Sequence, residues 1–356
     1  MLSQYGLKAN DAILAEDKHM GLFEDLLNNR KAVQIAGGAA QNTARGAQYI
    51  LPPDSVLYIG AVGKDKYADI LREACAKAGL KTEYLEVDDV PTGRCGVIIT
   101  GPNRSLCTHL AAANEYKVDH LKRSDIWGLV EKAKVYFVGG YHLTVSPPAI
   151  KALGEEAAQK NKIFALNLSA PFIPQFFKDP LAETSGYWDY LIGNETEARS
   201  WAESQGKETK DVKEIAKLLA ELPKVNQSRK RTVVITQGTD PTVVAVQGGS
   251  LVTEFPVHKI EETQLVDTNG AGYAPILAVS ALLTGGSDAF AGGFMAGVVE
   301  DKPLKDCIEM GHWLASLSIK ELGPQYVNKQ TSEDFAEANE NRFPYPKQTY
   351  RASGAS

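Results

Sequence analysis

Between positions 135 and 235 the chain reads Val135-Tyr-Phe-Val138, Ile163-Phe-Ala-Leu166, Tyr190-Leu-Ile192 and Thr232-Val-Val-Ile235. Each run is apolar without alternation, as in strands of a parallel sheet that are covered on both faces. Amphipathic stretches at 149–159, 195–205 and 210–222 lie between or beside them. Strand and helix in alternation predict a three-layer α/β/α sandwich. Two earlier runs, Ala32-Val-Gln-Ile-Ala36 and Val56-Leu-Tyr-Ile-Gly60, read as further strands. Residues 10–35 and 83–114 break the rhythm with short strands and polar turns such as Pro91-Thr-Gly93 and Gly101-Pro-Asn103. They are expected to form a small β lid, leaving 36–82 and 115–345 as the large α/β domain and 346–356 as a flexible tail.

The 356 residues, 44% hydrophobic and 23% charged, have the composition of a compact globular protein of one large domain or two unequal ones. Lys+Arg 38 against Asp+Glu 44 gives a net charge of −6 without a basic block. That balance argues against nucleic acid or an anionic membrane as the main partner. The opening MLSQYGLKAN lacks the basic-then-apolar order of a signal peptide, and the longest apolar stretch, 276–283, is far short of the roughly 20 residues of a membrane span. A cytoplasmic location is expected, with the nucleus also open to it. Cys75, Cys95, Cys107 and Cys307 are scattered and read as reduced, buried thiols without a metal or redox role. Lys224, Arg229, Lys230 and Arg231 precede a strand and read as a solvated loop.

Four local patterns carry chemistry. Asp267-Thr-Asn-Gly-Ala-Gly272 lets the chain turn tightly before helical sequence, bringing backbone N–H groups to an anion at a helix start. Asn194-Glu-Thr-Glu197 follows a buried strand, at the strand end where α/β proteins place ligands. Asn194 and Glu197 share a helical turn and suit either a hydrated Mg²⁺ near a triphosphate or a simple helix cap. Thr236-Gln-Gly238 sits after another strand, and Gly37-Gly-Ala-Ala-Gln-Asn42 gives a close backbone approach ending in a polar side chain.

Together these patterns resemble the signatures of the ribokinase (PfkB) carbohydrate kinases. Longer stretches look like the adenosine kinase branch: Asn10-Asp-Ala-Ile-Leu-Ala-Glu-Asp-Lys18, Asn103-Arg-Ser-Leu106, Leu110-Ala-Ala-Ala-Asn114, Leu143-Thr-Val-Ser-Pro147, Asn167-Leu-Ser-Ala-Pro-Phe172 and Gly311-His312. The resemblance spans almost the whole chain. It implies a ribokinase-like fold with a nucleotide-binding large domain, acting as a monomer, that moves the γ-phosphoryl group of ATP to the 5′-hydroxyl of adenosine. Gly38 and Asn42 would hold the ribose hydroxyls, while Ile13, Leu14, Tyr141 and His142 wall the adenine, with core packing the other reading of Tyr141 and His142. Arg104 in the lid would bridge phosphates or else be an ordinary exposed arginine. Asn194, Thr236, Gly238 and Asn269 would lie along ATP, and Glu197 would serve Mg²⁺. His312 would contact the ATP base or pack in its helix.

Two departures stand out. The family pattern runs Gly-Ala-Gly-Asp, its aspartate being the base that takes the hydroxyl proton, whereas here Gly272 is followed by Tyr273. A phenol of pKa about 10 is a poor substitute. Leaving out residues 273–287 joins Gly270-Ala271-Gly272 to Asp288 and restores the pattern. An in-frame retained intron or gene-model error is the favoured reading, and an insertion in which Gly285-Gly-Ser-Asp288 rebuilds the turn is the other. The family's first strand, whose aspartate holds ribose, is also missing ahead of Met1. The two departures keep open an alternative, a nucleoside-binding but catalytically impaired relative.

Overall fold

The computed structural model describes residues 1–9, 12–30, 32–100, 103–257 and 284–319. Strand β1 (Ala12–Leu14) and helix α1 (Met20–Glu24) lead to α2 (Ala39–Ile50). A βαβ unit follows, β2 (Leu57–Gly63), α3 (Lys66–Lys77) and β3 (Lys81–Val87), then the antiparallel pair β4 (Arg94–Thr100) and β5 (Asn103–His109). Short helices α4 (Val118–Lys122) and α5 (Ser124–Val130) open the larger unit. Its alternation is β6 (Val135–Gly139), α6 (Pro147–Gln159), β7 (Ile163–Asn167), α7 (Phe172–Phe176), α8 (Lys178–Ser185), β8 (Tyr190–Asn194), α9 (Glu195–Ser204), α10 (Val212–Ala220) and β9 (Thr232–Gln237). Strands β10 (Asp240–Val246) and β11 (Val252–Phe255) extend the sheet, and α11 (Thr284–Val299) and α12 (Leu304–Ser318) complete the described chain.

The main sheet has the order β11-β10-β9-β8-β7-β6, with β6 to β9 parallel and β10 and β11 antiparallel. Its apolar runs are continuous because both faces are covered. Phe164, Leu166, Leu191, Val233 and Ile235 pack into one core with residues of α6 and α10. Ala165, Ile192 and Val234 point the other way, onto Phe290, Phe294 and Ile308 of α11 and α12. Among the described residues no helix is long and apolar enough to cross a membrane.

The strands expected to form the lid make a three-stranded sheet of order β1-β5-β4. Three expectations need correction. Residues 83–87 pair with β2 rather than with the lid, because β3 completes a parallel βαβ unit. Residues 32–36 form no strand: they connect lid to α2, with Ile35 buried beside Cys95, Val97 and Leu106 of the lid. The basic stretch 224–231 is no solvated loop at its two ends. Lys224 is buried, donating to Asp189 Oδ1 at 2.5 Å and to the carbonyls of Asn226 and Arg229 at 2.9 Å. Arg231 is 0% exposed, its guanidinium donating to carbonyls that include those of Trp188 and Leu222. Buried charges persist when they are paired or fully hydrogen-bonded: Lys224 is ion-paired with Asp189, and the Arg231 guanidinium is met by backbone carbonyls.

The free edges of β2 and β6 carry no other strand among the described residues. Between them lies a cavity of about 960 Å³, lined by β2, β6, the start of α2 and the inner side of the lid.

Candidate active site

The start of α2 forms one wall. Gly38, its N-cap, has φ of +103°, a conformation that side chains with a Cβ rarely adopt, and its carbonyl accepts from the Asn42 N–H at 2.7 Å. Gly37, Gly38, Ala39 and Ala40 line the cavity, so the helix brings its amino end to the pocket. A Cβ on Gly292 would meet the Thr43 carbonyl of α2, and one on Gly293 the Met310 carbonyl of α12. The absence of both lets α11 wedge between the two helices. That packing joins residues far apart in sequence: Asp288, 4% exposed, accepts a 2.9 Å hydrogen bond on Oδ2 from the Asn42 side-chain amide.

The carboxyl edge of the main sheet carries a second group of expected site residues. Asn194 ends β8 and caps α9, its Oδ1 accepting from the N–H groups of Thr196 and Glu197 at 2.9 Å. Glu197 answers by accepting from the Asn194 backbone N–H at 3.0 Å and from its Nδ2 at 2.9 Å. The capping reading is therefore realised in full. Burial pushes the Glu197 carboxyl up to about 7, against the backbone hydrogen bond that favours its charge. Thr236 is in register with Asn194, and its hydroxyl donates to the Gly193 carbonyl at 3.3 Å. Gly238, with φ of +59°, turns β9 into β10.

Tyr141 and His142 follow β6 and line the cavity. Tyr141 stands edge-on to Phe172 with ring centroids 5.7 Å apart, and His142 stands so against Tyr116 at 5.2 Å. Burial holds the His142 imidazole down to about 4, so the ring is neutral at pH 7. Burial raises the Tyr141 phenol, and the charges of Cys95, Glu197 and Asp288 add to the rise. Lid, sheet edge and α11 therefore share one electrostatic neighbourhood.

The lid separates two expected neighbours. Ile13 lies opposite Cys107 and packs into the outer cluster of Leu7, Leu22, Leu26 and Ile98, away from the cavity. Leu14 is opposite Thr108, which lines the cavity and whose hydroxyl donates to Cys95 Sγ at 3.2 Å. Successive side chains on a strand take opposite faces, so only one of the pair can look inward. The backbone of Arg104 pairs with Ile99 across the lid, and its side chain lies outside the described residues. His312 is buried, sharing a 2.8 Å hydrogen bond with the Thr242 hydroxyl and packing on Phe290, which is its helix-packing reading. Asn269, Gly270, Ala271, Gly272 and Tyr273 lie outside the described residues, whereas Gly286 and Ser287 stand in the first turn of α11, directly before Asp288.

The motif reading passes over the joint between lid and body. Asp65 caps α3 and accepts from the Thr92 N–H at 2.8 Å and the Thr92 hydroxyl at 2.7 Å. Thr92 in turn accepts from the Gly63 N–H at 3.0 Å. An aspartate just ahead of a helical stretch is the signal that was available for it.

The description "pfkB family carbohydrate kinase" matches residues 1–331. Adenosine kinase 2 of Arabidopsis thaliana is 44% identical over 329 residues, covering 92% of this chain and 90% of that one. The adenosine kinase of Schizosaccharomyces pombe is 45% identical over 324 residues, covering 90% and 89%. The Anopheles gambiae adenosine kinase solved with P1,P4-di(adenosine-5) tetraphosphate superposes with a TM-score of 0.85 at 40% identity, covering 93% of each chain. With a glycine-started helix, a strand-end Asn-x-x-Glu turn and a buried aspartate, the chain belongs to the pfkB family of carbohydrate kinases, in its adenosine kinase branch.

Proposed function

We propose that the protein transfers the γ-phosphoryl group of ATP to the 5′-hydroxyl of adenosine, giving AMP. The observation that carries this reading is Asp288, a buried carboxylate held by Asn42 where α2 and α11 converge. A carboxylate in that setting suits the removal of a hydroxyl proton, worth on the order of 10²–10⁴ in rate. Tyr141 and neutral His142 offer apolar ring faces of the kind that receive a purine, and Thr108, opposite Leu14, lines the same cavity. Gly38 would present backbone to the ribose. The relatives named adenosine kinase, and the Anopheles structure with its adenosine-bearing ligand, support this substrate.

Most of phosphoryl transfer is positioning and neutralisation of phosphate charge. Asn194 and Glu197 supply oxygen donors at the strand end, which fits Mg²⁺. Because both carboxylate oxygens already accept from Asn194, they would hold the ion through its water shell. When bound with ATP, Mg²⁺ would neutralise phosphate oxygens. Thr236 and Gly238 stand beside this turn on the path of the nucleotide, Arg104 belongs to the lid, and the amides of Gly270, Ala271 and Gly272 would receive the transferred phosphate.

The test is to incubate the purified protein with ATP and Mg²⁺ and with adenosine, ribose or fructose in turn. AMP from adenosine, formed faster than either sugar phosphate, is the expected result. Faster phosphorylation of a sugar overturns the substrate, and adenosine binding without turnover establishes the impaired alternative.

A further inference from the structure

We infer that Ser169 is a positioning residue: its hydroxyl fixes the turn that carries Tyr141 and His142, and so sets the wall of the cavity that meets the purine. The inference rests on the reading of those two rings as that wall. Ser169 lies in the stretch Asn167-Leu-Ser-Ala-Pro-Phe172, just past the carboxyl end of β7, and has φ of +67°. Residues with a Cβ rarely take that conformation, and where one is held there the surrounding contacts over-determine it, often beside a functional site. Three such contacts are present. The Ser169 N–H donates to Asn167 Oδ1 at 2.7 Å, and the hydroxyl donates to the Asn167 carbonyl at 3.3 Å while accepting from the Gly140 N–H at 2.7 Å.

The bond to Gly140 stands where the ladder ends. Strands β6 and β7 are in register as far as Gly139 opposite Asn167, and the next donor, the Gly140 N–H, meets a side-chain oxygen in place of a strand carbonyl. Gly140 opens the short helical turn Gly140–Thr144, so its N–H sets the direction in which Tyr141 and His142 leave the sheet. The approach is close: a Cβ on Gly140 would stand 2.5 Å from the Leu168 carbonyl oxygen and 2.7 Å from that of Asn167, and one on Gly139 would stand 3.3 Å from the Cβ of Ala40 in α2. The far side of the Ser169 loop is held as well. The Pro171 carbonyl accepts from the Ser200 hydroxyl of α9 at 2.5 Å, and Phe172, next in the chain, is the ring that meets Tyr141 edge-on. Ser169 therefore joins the two supports of Tyr141, the backbone ahead of it and the ring beside it. A glycine would take φ of +67° without strain, so what serine adds at this position is its hydroxyl.

The experiment measures adenosine binding by calorimetry, steady-state kinetics and thermal unfolding for two variants. Ser169→Gly removes the hydroxyl and eases the backbone, and Ser169→Ala removes the hydroxyl and keeps the strain. Losing the hydrogen bond at the root of the turn should raise Kd and KM for adenosine about tenfold in both, with kcat lowered less than about threefold and KM for ATP unchanged. Tm should fall further in Ser169→Ala than in Ser169→Gly. A serine that serves stability alone would lower Tm and the amount of active enzyme and leave Kd and KM in place, and that outcome overturns the inference. Coupling is read in a protein carrying Tyr141→Ala and His142→Ala, where adding Ser169→Gly should weaken adenosine binding less than about twofold further. A full further loss of about tenfold means that the hydroxyl acts other than through the two rings, and overturns the inference as well. If the protein with Tyr141→Ala and His142→Ala binds adenosine as the wild type does, the reading of those rings as the purine wall fails. If it loses binding while Ser169→Gly and Ser169→Ala keep theirs, only the role of Ser169 fails. Should Ser169→Ala fail to fold, Ser169→Gly carries the same comparisons.

Discussion

Replacing Glu197 by Gln separates the cost of burying a carboxylate from its use. Burial raises this carboxyl from 4.5 to about 7. The folded protein therefore holds the proton over a pH range in which the unfolded chain has released it, so stability is greatest below pH 4.5 and falls as pH rises through 7. At about 1.36 kcal/mol per unit, a shift of that size corresponds to about 3 kcal/mol lost by pH 8, an upper bound. Gln removes this pH-dependent loss. It keeps one of the two hydrogen bonds from Asn194 and sets an amide donor against the other, at a cost of about 1–2 kcal/mol at every pH. The two proteins should be near parity at pH 5, and Glu197→Gln should be ahead by about 2 kcal/mol at pH 8. Urea unfolding of both in magnesium-free buffer measures this directly, since every other titrating group cancels in the difference. A difference that stays constant from pH 5 to 8 would refute the reasoning and show that water reaches the carboxyl.

Asp288→Asn keeps shape while removing the proton acceptor, so kcat for adenosine should fall by about 10²–10⁴ with little change in nucleoside binding by calorimetry. Lys224→Met leaves Asp189, 2% exposed at its side chain, with the more exposed Arg229 as its remaining ion-pair partner among the described residues, and should cost about 3–5 kcal/mol in urea unfolding. The pair Lys224→Met with Asp189→Asn should recover part of that loss. Deleting residues 273–287 should raise kcat/KM at least about 10²-fold if the insertion displaces the base by about 1 Å from the turn Gly270 to Gly272. Equal activity with and without the segment would assign the turn to Gly285, Gly286 and Ser287.

The central sheet was legible because burial on both faces removes polar alternation, and the same signal stands at residues 242–246, Thr-Val-Val-Ala-Val, where β10 runs. Asn194 and Glu197 were legible at their spacing, which serves cap and metal alike, so only the hydrogen bonds reveal that the cap is complete. Ile13 and Leu14 show a limit of another kind. Both are apolar neighbours on one strand, and which of them faces inward is set by the register with β5, a contact about ninety residues away. Lys224 and Arg231 read as solvent-loving because their charge is local information, whereas Asp189 and the carbonyls that receive them come from separate segments. The bond from Asn42 to Asp288 was hidden for the same reason: it depends on glycines in α11 that reveal their purpose only when the helices meet.

The open slot between β2 and β6 has a consequence for how the molecule comes apart. Backbone ladders are what make a sheet open as one cooperative unit, and among the described residues none crosses from the β2–β3 pair to the six-stranded sheet. The pair leans on the main core through side chains, including Ile59, Ala61 and Leu85. Amides of β2 and β3 should therefore exchange with solvent through a partial opening that leaves β7, β8 and β9 protected. The cavity reaches both sides of this seam, from β2 and the start of α2 to β6 and Tyr141. A bound ligand would then fasten the two units to each other, making the filled protein a single foldon where the empty one is two.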